Sequence, residues 1–465
     1  MLSPLTHANR RRALSQLLDD APVLLIGNGP SARNIPLARQ PFRQDSSVLY
    51  FSGCVRPSAA MLIEAGGVST LFLVPPDDDD PLWHGYTWTL DQVRQELGFD
   101  RVLPLDELEA RCAPHRGHLL GLAVSDPLAT ARASALIGQP LRFGDPSQAG
   151  SSALIEAIIR LRRTLAPEEV EQIRLAAAVT ARAHRTAMSI TRPGVPEQHI
   201  AALFDSVVQA AGMQTAYKSI VTVRGEVLHN EDYPNLCGAD DLLLLDGGAE
   251  ARSGYASDVT RTWPVRGSFD PRQRAAYQAV LDAQVQAIAM VRPGVRYRDI
   301  HDRASLVLAD WLVHEGLLRG APSDLVERGA HALFFPHGVG HLLGLDVHDM
   351  EAFGDRVAYA PGRSRSPLFG TRFLRLDLDL QPGMCVTIEP GFYLVPAIFS
   401  DRELMERFAD VLDVERALSW KGVNIRIEDD VLCTEDEPQV LTAAIPKDPG
   451  ELCACLGTAP DPFAQ

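Results

Sequence analysis

Short apolar blocks separated by turn residues fill the first third of the chain. Residues 8–18 are rich in Ala, Leu and Arg and read as a helix. Val23–Gly27 is an apolar run that enters the turn Gly27-Asn28-Gly29-Pro30. Ser47–Phe51, Thr70–Val74 and Leu119–Val124 read as further buried strands, and Leu90–Leu97 as a helix. The acidic run Asp77–Asp80 reads as a solvated loop. Strands alternating with helices predict an α/β first domain over residues 1–155. Leu154–Arg163 and Pro167–Ile190 carry a helical period, and Pro167-Glu168-Glu169 opens the second with proline early and acids in the first turn. A second domain is expected over residues 165–465.

Arg192-Pro193-Gly194-Val195 recurs as Arg292-Pro293-Gly294-Val295. Each copy follows a helical run and precedes an amphipathic one, Glu197–Ala211 and Arg298–Leu312. The repeat points to a duplicated α/β half, with a cleft between halves as the natural place for a site. Leu242–Leu245 is a continuous apolar run ending in Asp246-Gly247-Gly248, and Ser257–Trp263 is a second β-rich segment. Glu250–Gly254 between them reads as a hairpin turn, which puts Asp246 and Asp258 on adjacent antiparallel strands. Val386–Gly391 and Asn424–Asp430 are again β-type runs that carry acids. Residues 352–380 and 396–421 are less regular and read as loops or lids.

Two features of this pattern carry chemistry. Three of the thirteen histidines, His337, His341 and His348, fall within twelve residues interleaved with Gly, Leu and Val. That mixture suits imidazoles held at fixed angles on an apolar frame. Asp246, Asp258, Glu389 and Glu428 each sit on or beside an apolar strand, where an unpaired carboxylate is expensive. Any one of them could be a buried ion pair, but cations nearby are few, chiefly Arg261, Arg375 and Arg426. Four carboxylates with an imidazole suit Mn²⁺, Mg²⁺, Co²⁺ or Zn²⁺, and the absence of cysteine from the set argues against structural zinc. Two such ions would support hydrolysis by an activated water.

Composition narrows the class. A chain of 465 residues with 46% hydrophobic and 22% charged residues is ordinary globular protein, long enough for two cores. Its formal charge of −16 argues against nucleic acid and anionic membrane as partners. The seven scattered cysteines fit reduced thiols in a cytosol, and no apolar run of signal or membrane-span type is present, so a cytoplasmic enzyme is expected. No G-x-S-x-G, phosphate-loop or H-E-x-x-H sequence occurs, and Gly27-Asn28-Gly29 lacks the third glycine of a dinucleotide site.

At these residues the sequence resembles the Xaa-Pro metallopeptidases of the pita-bread fold, aminopeptidase P and prolidase. The motifs are Leu245-Asp246-Gly247-Gly248, Ser257-Asp258-Val259-Thr260-Arg261-Thr262, His337 to Asp349, Thr387-Ile388-Glu389-Pro390-Gly391 and Arg426-Ile427-Glu428-Asp429-Asp430, in that order. Pro41–Ser46 and Tyr50–Gly53 extend the likeness into the first domain. The resemblance implies an aminopeptidase-P-like α/β domain followed by a pita-bread catalytic domain with pseudo-twofold halves. It implies two divalent cations, usually manganese, and often a homodimer or homotetramer. It assigns Asp246, Asp258, His341, Glu389 and Glu428 as metal ligands, with Asp258 and Glu428 bridging. A water between the metals would be the nucleophile and Glu389 the proton shuttle. His348 and His229 would hold substrate, His337 would shape the proline pocket, and Arg426 would support the bridging glutamate. The implied reaction is cleavage of the bond between an N-terminal residue and proline, in Xaa-Pro dipeptides or longer peptides.

The chain departs from the family pattern in places. The connection from Asp246 to Asp258 is one residue longer than usual. Asn230 follows His229 where tyrosine is common, and Thr222–Glu226 lacks the usual G-x-G-x-N. Arg375, ahead of Leu380-Gln381-Pro382-Gly383, stands where prolidases place an arginine for the free carboxylate of a dipeptide, although a loop-surface arginine would read the same. The opening of the chain is more like aminopeptidase P, so product length stays open. The rival reading is a pita-bread module that binds peptide or protein without catalysis.

Overall fold

The computed structural model describes residues 2–85 and 87–464. The chain divides into two compact units, Met1–Arg163 with Met350–Val357, and Thr164–Asp349 with Ala358–Gln465.

The first unit is built on five strands, β1 (Val23–Ile26), β2 (Ala60–Ile63), β3 (Ser69–Leu73), β4 (Arg101–Pro104) and β5 (Leu120–Gly121), in the order β4-β3-β2-β1-β5. β1 runs antiparallel to β2 and parallel to β5. Leu24, Ile26, Leu62 and Phe72 pack in its core with Leu108 and Ile137. The expected strand at Ser47–Phe51 is instead the helix Ser46–Ser52. Its residues are all buried, so no periodicity could separate helix from strand. The deciding signals are at its ends. The Asp45 carboxylate accepts from the Ser47 and Val48 amides, and Gly53 closes the helix in the left-handed region at φ +67°. The apolar run at Leu119–Val124 yields only the two-residue β5, and β2 and β4 lacked a sequence signal.

The second unit holds the repeat. Helices Pro167–Ile190 and Glu197–Ala210 form one pair, and Pro271–Ile288 and Tyr297–His314 the other. Between and after them come β6 (Gln214–Thr215), β7 (Ile220–Thr222), β8 (Leu242–Asp246), β9 (Ala249–Glu250) and β10 (Thr260–Pro264). They are followed by β11 (Cys385–Ile388), β12 (Gly391–Phe392), β13 (Ile425–Arg426), β14 (Asp429–Leu432) and β15 (Gln439–Val440). The sheets run β10-β8-β7 and β11-β14-β15, with β12 paired to β13 and β6 to β9. The two stretches read as loops or lids contain short helices, among them Asp355–Ala358, Arg402–Arg407 and Val414–Leu418. Among the described residues no helix is long and apolar enough to cross a membrane.

Candidate metal centre

Two strand junctions bring the acids together. In the first, β8 and β10 pair antiparallel with Asp246 opposite Thr260. The turn after β9 is closed by bonds from Ala251 N–H to Tyr255 O and from Gly254 N–H to Ala251 O. The chain leaves regular pairing at Gly247-Gly248 because the strands touch there. A Cβ on Gly248 would lie 1.7 Å from the Ser257 carbonyl oxygen. In the second junction, β11 pairs with β14 through Ile388 and Asp429, and β12 with β13 through Gly391 and Arg426. Pro390, which has no N–H, sits in the interruption. Continuing the register places Glu389 and Glu428 opposite one another at the break. The Glu428 amide instead donates to Thr260 O at 3.0 Å, joining the second junction to the first.

Asp246, Asp258 and Glu428 are buried, at 9%, 5% and 2% exposure, and Glu389 is half-buried. Asp258, His341 and Glu428 offer donor atoms that all lie within 4.8 Å of one another. His341 Nδ1–H donates to Leu342 O at 3.0 Å, which turns the Nε2 lone pair inward. That lone pair lies 3.3 Å from Asp258 Oδ2 and 3.8 Å from Glu389 Oε1. A lone pair facing carboxylate oxygens is repulsive unless a proton or a cation stands between them. Burial pushes Glu389 up to about 7, with Asp258 and Asp246 adding repulsion against the pull of His341 and Arg426. Glu428 is raised well above its ordinary range, by burial and by the charges of Asp258, Glu389 and Asp246. Asp246 is raised by burial despite Arg426. Asp258 goes the other way, because His341 outweighs its burial. An excess of buried acid with one inward imidazole and no thiol fits a pair of divalent cations in its donor chemistry.

The other anticipated residues divide into two groups. His348 stacks on His341 with ring centroids 4.0 Å apart. His229, His337, His348 and Arg375 line the same cavity as the acids, whose volume is about 320 Å³. Both nitrogens of His337 are engaged: Nδ1–H donates to Gly338 O at 2.8 Å and lies 3.7 Å from Glu389 Oε2, and Nε2 accepts from the Tyr393 hydroxyl at 3.0 Å. Its edge-to-face contact with Phe335, centroids 4.9 Å apart, leaves it as an apolar wall. Burial holds it down at about 3, helped by Arg426 and, further out, by His229 and Arg375. Arg426 bonds one acid directly and another through a hydroxyl. Its Nη2 donates to Asp246 Oδ2 at 2.6 Å and its Nη1 to the Tyr393 oxygen at 3.1 Å. It reaches Glu428 through Thr260, whose hydroxyl accepts from Arg426 Nε at 2.9 Å and donates to Glu428 Oε2 at 2.6 Å. Arg261 is committed to Asp429 at 2.7 Å, so it neutralises none of the four acids.

Tyr217, Thr260 and Tyr393 are site residues that sequence reasoning missed. The Tyr217 hydroxyl lies between Asp246 Oδ1, at 2.5 Å, and Asp258 Oδ1. Tyr393 could have been flagged by its place four residues after Glu389, and Thr260 by its place inside the Ser257–Thr262 motif. Tyr217 had no such cue.

The model of metallopeptidase family M24 matches residues 171–435, and that of the aminopeptidase P N-terminal domain matches residues 7–117. The Xaa-Pro aminopeptidase of Escherichia coli (strain K12) is 30% identical over 468 residues, covering 97% of each chain. A probable Xaa-Pro aminopeptidase of Aspergillus fumigatus is 32% identical over 432 residues, covering 89% of this chain and 87% of its own. Among solved structures, Pseudomonas aeruginosa aminopeptidase PepP superposes with a TM-score of 0.81 at 29% identity, covering 98% of both chains. Escherichia coli aminopeptidase P with the inhibitor Pro-Leu gives 0.79 at 28% identity, with the same coverage.

Proposed function

The chain belongs to metallopeptidase family M24, an aminopeptidase P N-terminal domain ahead of a pita-bread catalytic domain, and from that premise we propose that it hydrolyses the bond between an N-terminal residue and proline. The observation that carries the reading is the cluster of Asp258, His341 and Glu428 donor atoms within 4.8 Å, with Asp246 and Glu389 lining the same cavity. These five residues would hold two divalent ions, manganese first among them, which when bound supply Lewis-acid activation of water and of the scissile carbonyl.

The protein's own groups do the rest. Glu389 takes a proton from the attacking water and returns it to the proline nitrogen as the C–N bond breaks, a role open to a carboxylate that lines the cavity beside the other acids. His229 and His348, which line the cavity, hold the scissile carbonyl and favour the charge that develops on its oxygen. His337, which lines the cavity and is braced from behind by Phe335, offers a ring face to the proline ring. Proline needs such a dedicated wall because its peptide nitrogen has no hydrogen for an ordinary peptidase to recognise. Arg375, a guanidinium lining the same cavity, receives the free carboxylate of a dipeptide.

The non-catalytic rival has no support, since all five ligand positions carry ligand-type side chains and the matched relatives are named peptidases. The test is hydrolysis of an Xaa-Pro dipeptide and a longer peptide with the same Xaa-Pro start, in chelator-treated buffer and with added Mn²⁺. Metal-dependent cleavage at proline supports the reading, and cleavage of the dipeptide alone makes the enzyme a dipeptidase. No cleavage of either peptide by metal-loaded protein would refute it.

A further inference from the structure

The duplicated Arg-Pro-Gly-Val motif does the same structural work in both halves. Gly194 and Gly294 adopt φ of +89° and +79°. Their amides donate to Cys237 O and Leu380 O, each at 2.8 Å. The return bonds, Cys237 N–H to Val195 O and Leu380 N–H to Val295 O, are each 2.9 Å. Bridges between Pro196 and Leu236, and between Arg296 and Asp379, complete the match. Each motif is therefore laced to the end of a cavity-facing stretch, one carrying His229 and the other Arg375.

The halves part at the residues just after the motif. In the first, the fully buried Glu197 carboxylate accepts from the amides of Val223, at 2.7 Å, and Asn235, at 3.0 Å. One carboxylate thereby ties both ends of the His229 stretch. In the second, the position of Pro196 is taken by Arg296. Its Nε and Nη2 donate to the two oxygens of Asp377, each at 2.6 Å. Asp377 is 2% exposed, and its amide donates to Ala358 O at 2.6 Å. Its carbonyl accepts from Arg363 Nη1 at 3.1 Å. The Tyr359 hydroxyl and Arg365 Nη1 donate to Leu374 O, at 2.7 and 3.0 Å. Arg375 is thus fastened on both sides, which distinguishes it from an arginine on a slack loop.

We propose that Arg296, through its paired bonds to Asp377, is a positioning residue that aims Arg375 and so sets the length of peptide the site prefers. The inference rests on the reading that Arg375 meets the carboxylate of an Xaa-Pro dipeptide. A forked guanidinium must be held within a fraction of an ångström to form two bonds at once, and the Arg296–Asp377 pair supplies that hold.

The test uses the metal-loaded full chain and the matched dipeptide and longer peptide. Arg296→Gln, Asp377→Asn and Arg375→Ala are compared singly, and Arg296→Gln is combined with Arg375→Ala. Arg296→Gln and Asp377→Asn should each raise KM for the dipeptide roughly tenfold, with kcat within about twofold and a clearly smaller KM change for the longer peptide. In the Arg375→Ala background, Arg296→Gln should add nothing to the dipeptide KM. An equal rise for both peptides, or an undiminished effect in that background, would show that Arg296 supports only the fold and would overturn the proposal. No change in either single variant, while Arg375→Ala penalises the dipeptide, would overturn it and leave the carboxylate reading standing. If Arg375→Ala treats both peptides alike, the carboxylate reading fails and the proposal fails with it.

Discussion

Replacing Thr260 with valine removes one hydroxyl and almost no volume, and it separates what holds the fold from what holds the cations. Thr260 is fully buried. Its hydroxyl donates to Glu428 Oε2 and accepts from Arg426 Nε. Loss of the Arg426 bond weakens the fold in every state, by about 1.5–3 kcal/mol for a bond to a charged group. The Glu428 bond behaves differently. Without cations, burial and three neighbouring acids raise Glu428 well above its ordinary range, which favours the neutral carboxyl and a bond between neutral groups. Such a bond contributes about 1 kcal/mol. With cations bound the carboxylate is ionised and the same bond strengthens by about 1–2 kcal/mol, a difference that falls on metal binding alone. Thr260→Val should therefore bind Mn²⁺ about 5–30-fold more weakly. The assay is calorimetric titration of Mn²⁺ into chelator-stripped wild type and variant, beside urea unfolding of the metal-free forms. Affinities within about twofold, with the whole loss appearing in the urea midpoint, would refute the reasoning.

Asp258→Ala and Glu428→Ala should abolish turnover and lower bound metal measured by elemental analysis; unchanged turnover in either would sink the two-cation centre. His348→Ala should keep its metal and lose turnover, and loss of metal as well would place His348 among the ligands. In the metal-free protein the raised acids of the cluster should cost stability as pH rises, while buried histidines held low, His337, His184 and His301 among them, act in the opposite sense below about pH 6.5. Glu389 moves from 4.5 to about 7 on folding, so across that window the fold holds a proton that the unfolded chain has released. Glu428 and Asp246 act in the same sense, and Asp258 opposes them. The urea midpoint of stripped wild type should therefore fall across the window relative to that of stripped Glu389→Gln, and a wild-type midpoint that holds level with or climbs against the variant would contradict this.

How much of the site can be read from sequence depends on whether its signal is local. Asp246 and Glu389 were legible because each ends an apolar strand followed at once by Gly or Pro, and a charge there needs a reason. The repeat was legible as four identical residues and proved to be matched backbone lacing in both halves. Tyr217 was not legible, because its hydroxyl reaches Asp246 only through the pairing of Ile220 with Asp246 across β7 and β8. The full reach of Arg426 was not legible for a related reason. The Asn424–Asp430 run reads as one strand, on which an arginine two residues before Glu428 would serve its neighbour. The break opposite Pro390 makes it two strands with different partners, and the guanidinium reaches across to Asp246 as well as, through Thr260, to Glu428.

Glu428 and Asp429 show why a buried acid on an apolar strand is not by itself a metal signal. They are adjacent, both are buried, and the sequence treats them alike. Asp429 accepts from Arg261 and Lys447 at 2.7 Å, from Gln284 at 2.9 Å and from Thr442 at 2.8 Å. Those partners hold it well below the usual carboxylate range, Arg261 foremost, in spite of its burial. One residue earlier, Glu428 has a hydroxyl and three acidic neighbours, and among the described residues no lysine or arginine side chain bonds to its carboxylate. The nearby arginines leave Glu428 without a direct ion pair: Arg261 is on Asp429, outside the cluster, and Arg426 is on Asp246, which it compensates alone among the four acids by a direct bond. Removing one partner of the Asp429 network would strand a charge that the fold has fully satisfied, whereas the Glu428 side is left unsatisfied by construction. The cluster is therefore set up to bind cations by the placement of its arginines as much as by its acids. Metal should stabilise this unit because Arg426, which eases Glu428 only from a distance and through Thr260, bonds directly to Asp246 and leaves the raised Glu428 carboxyl without a direct ion pair.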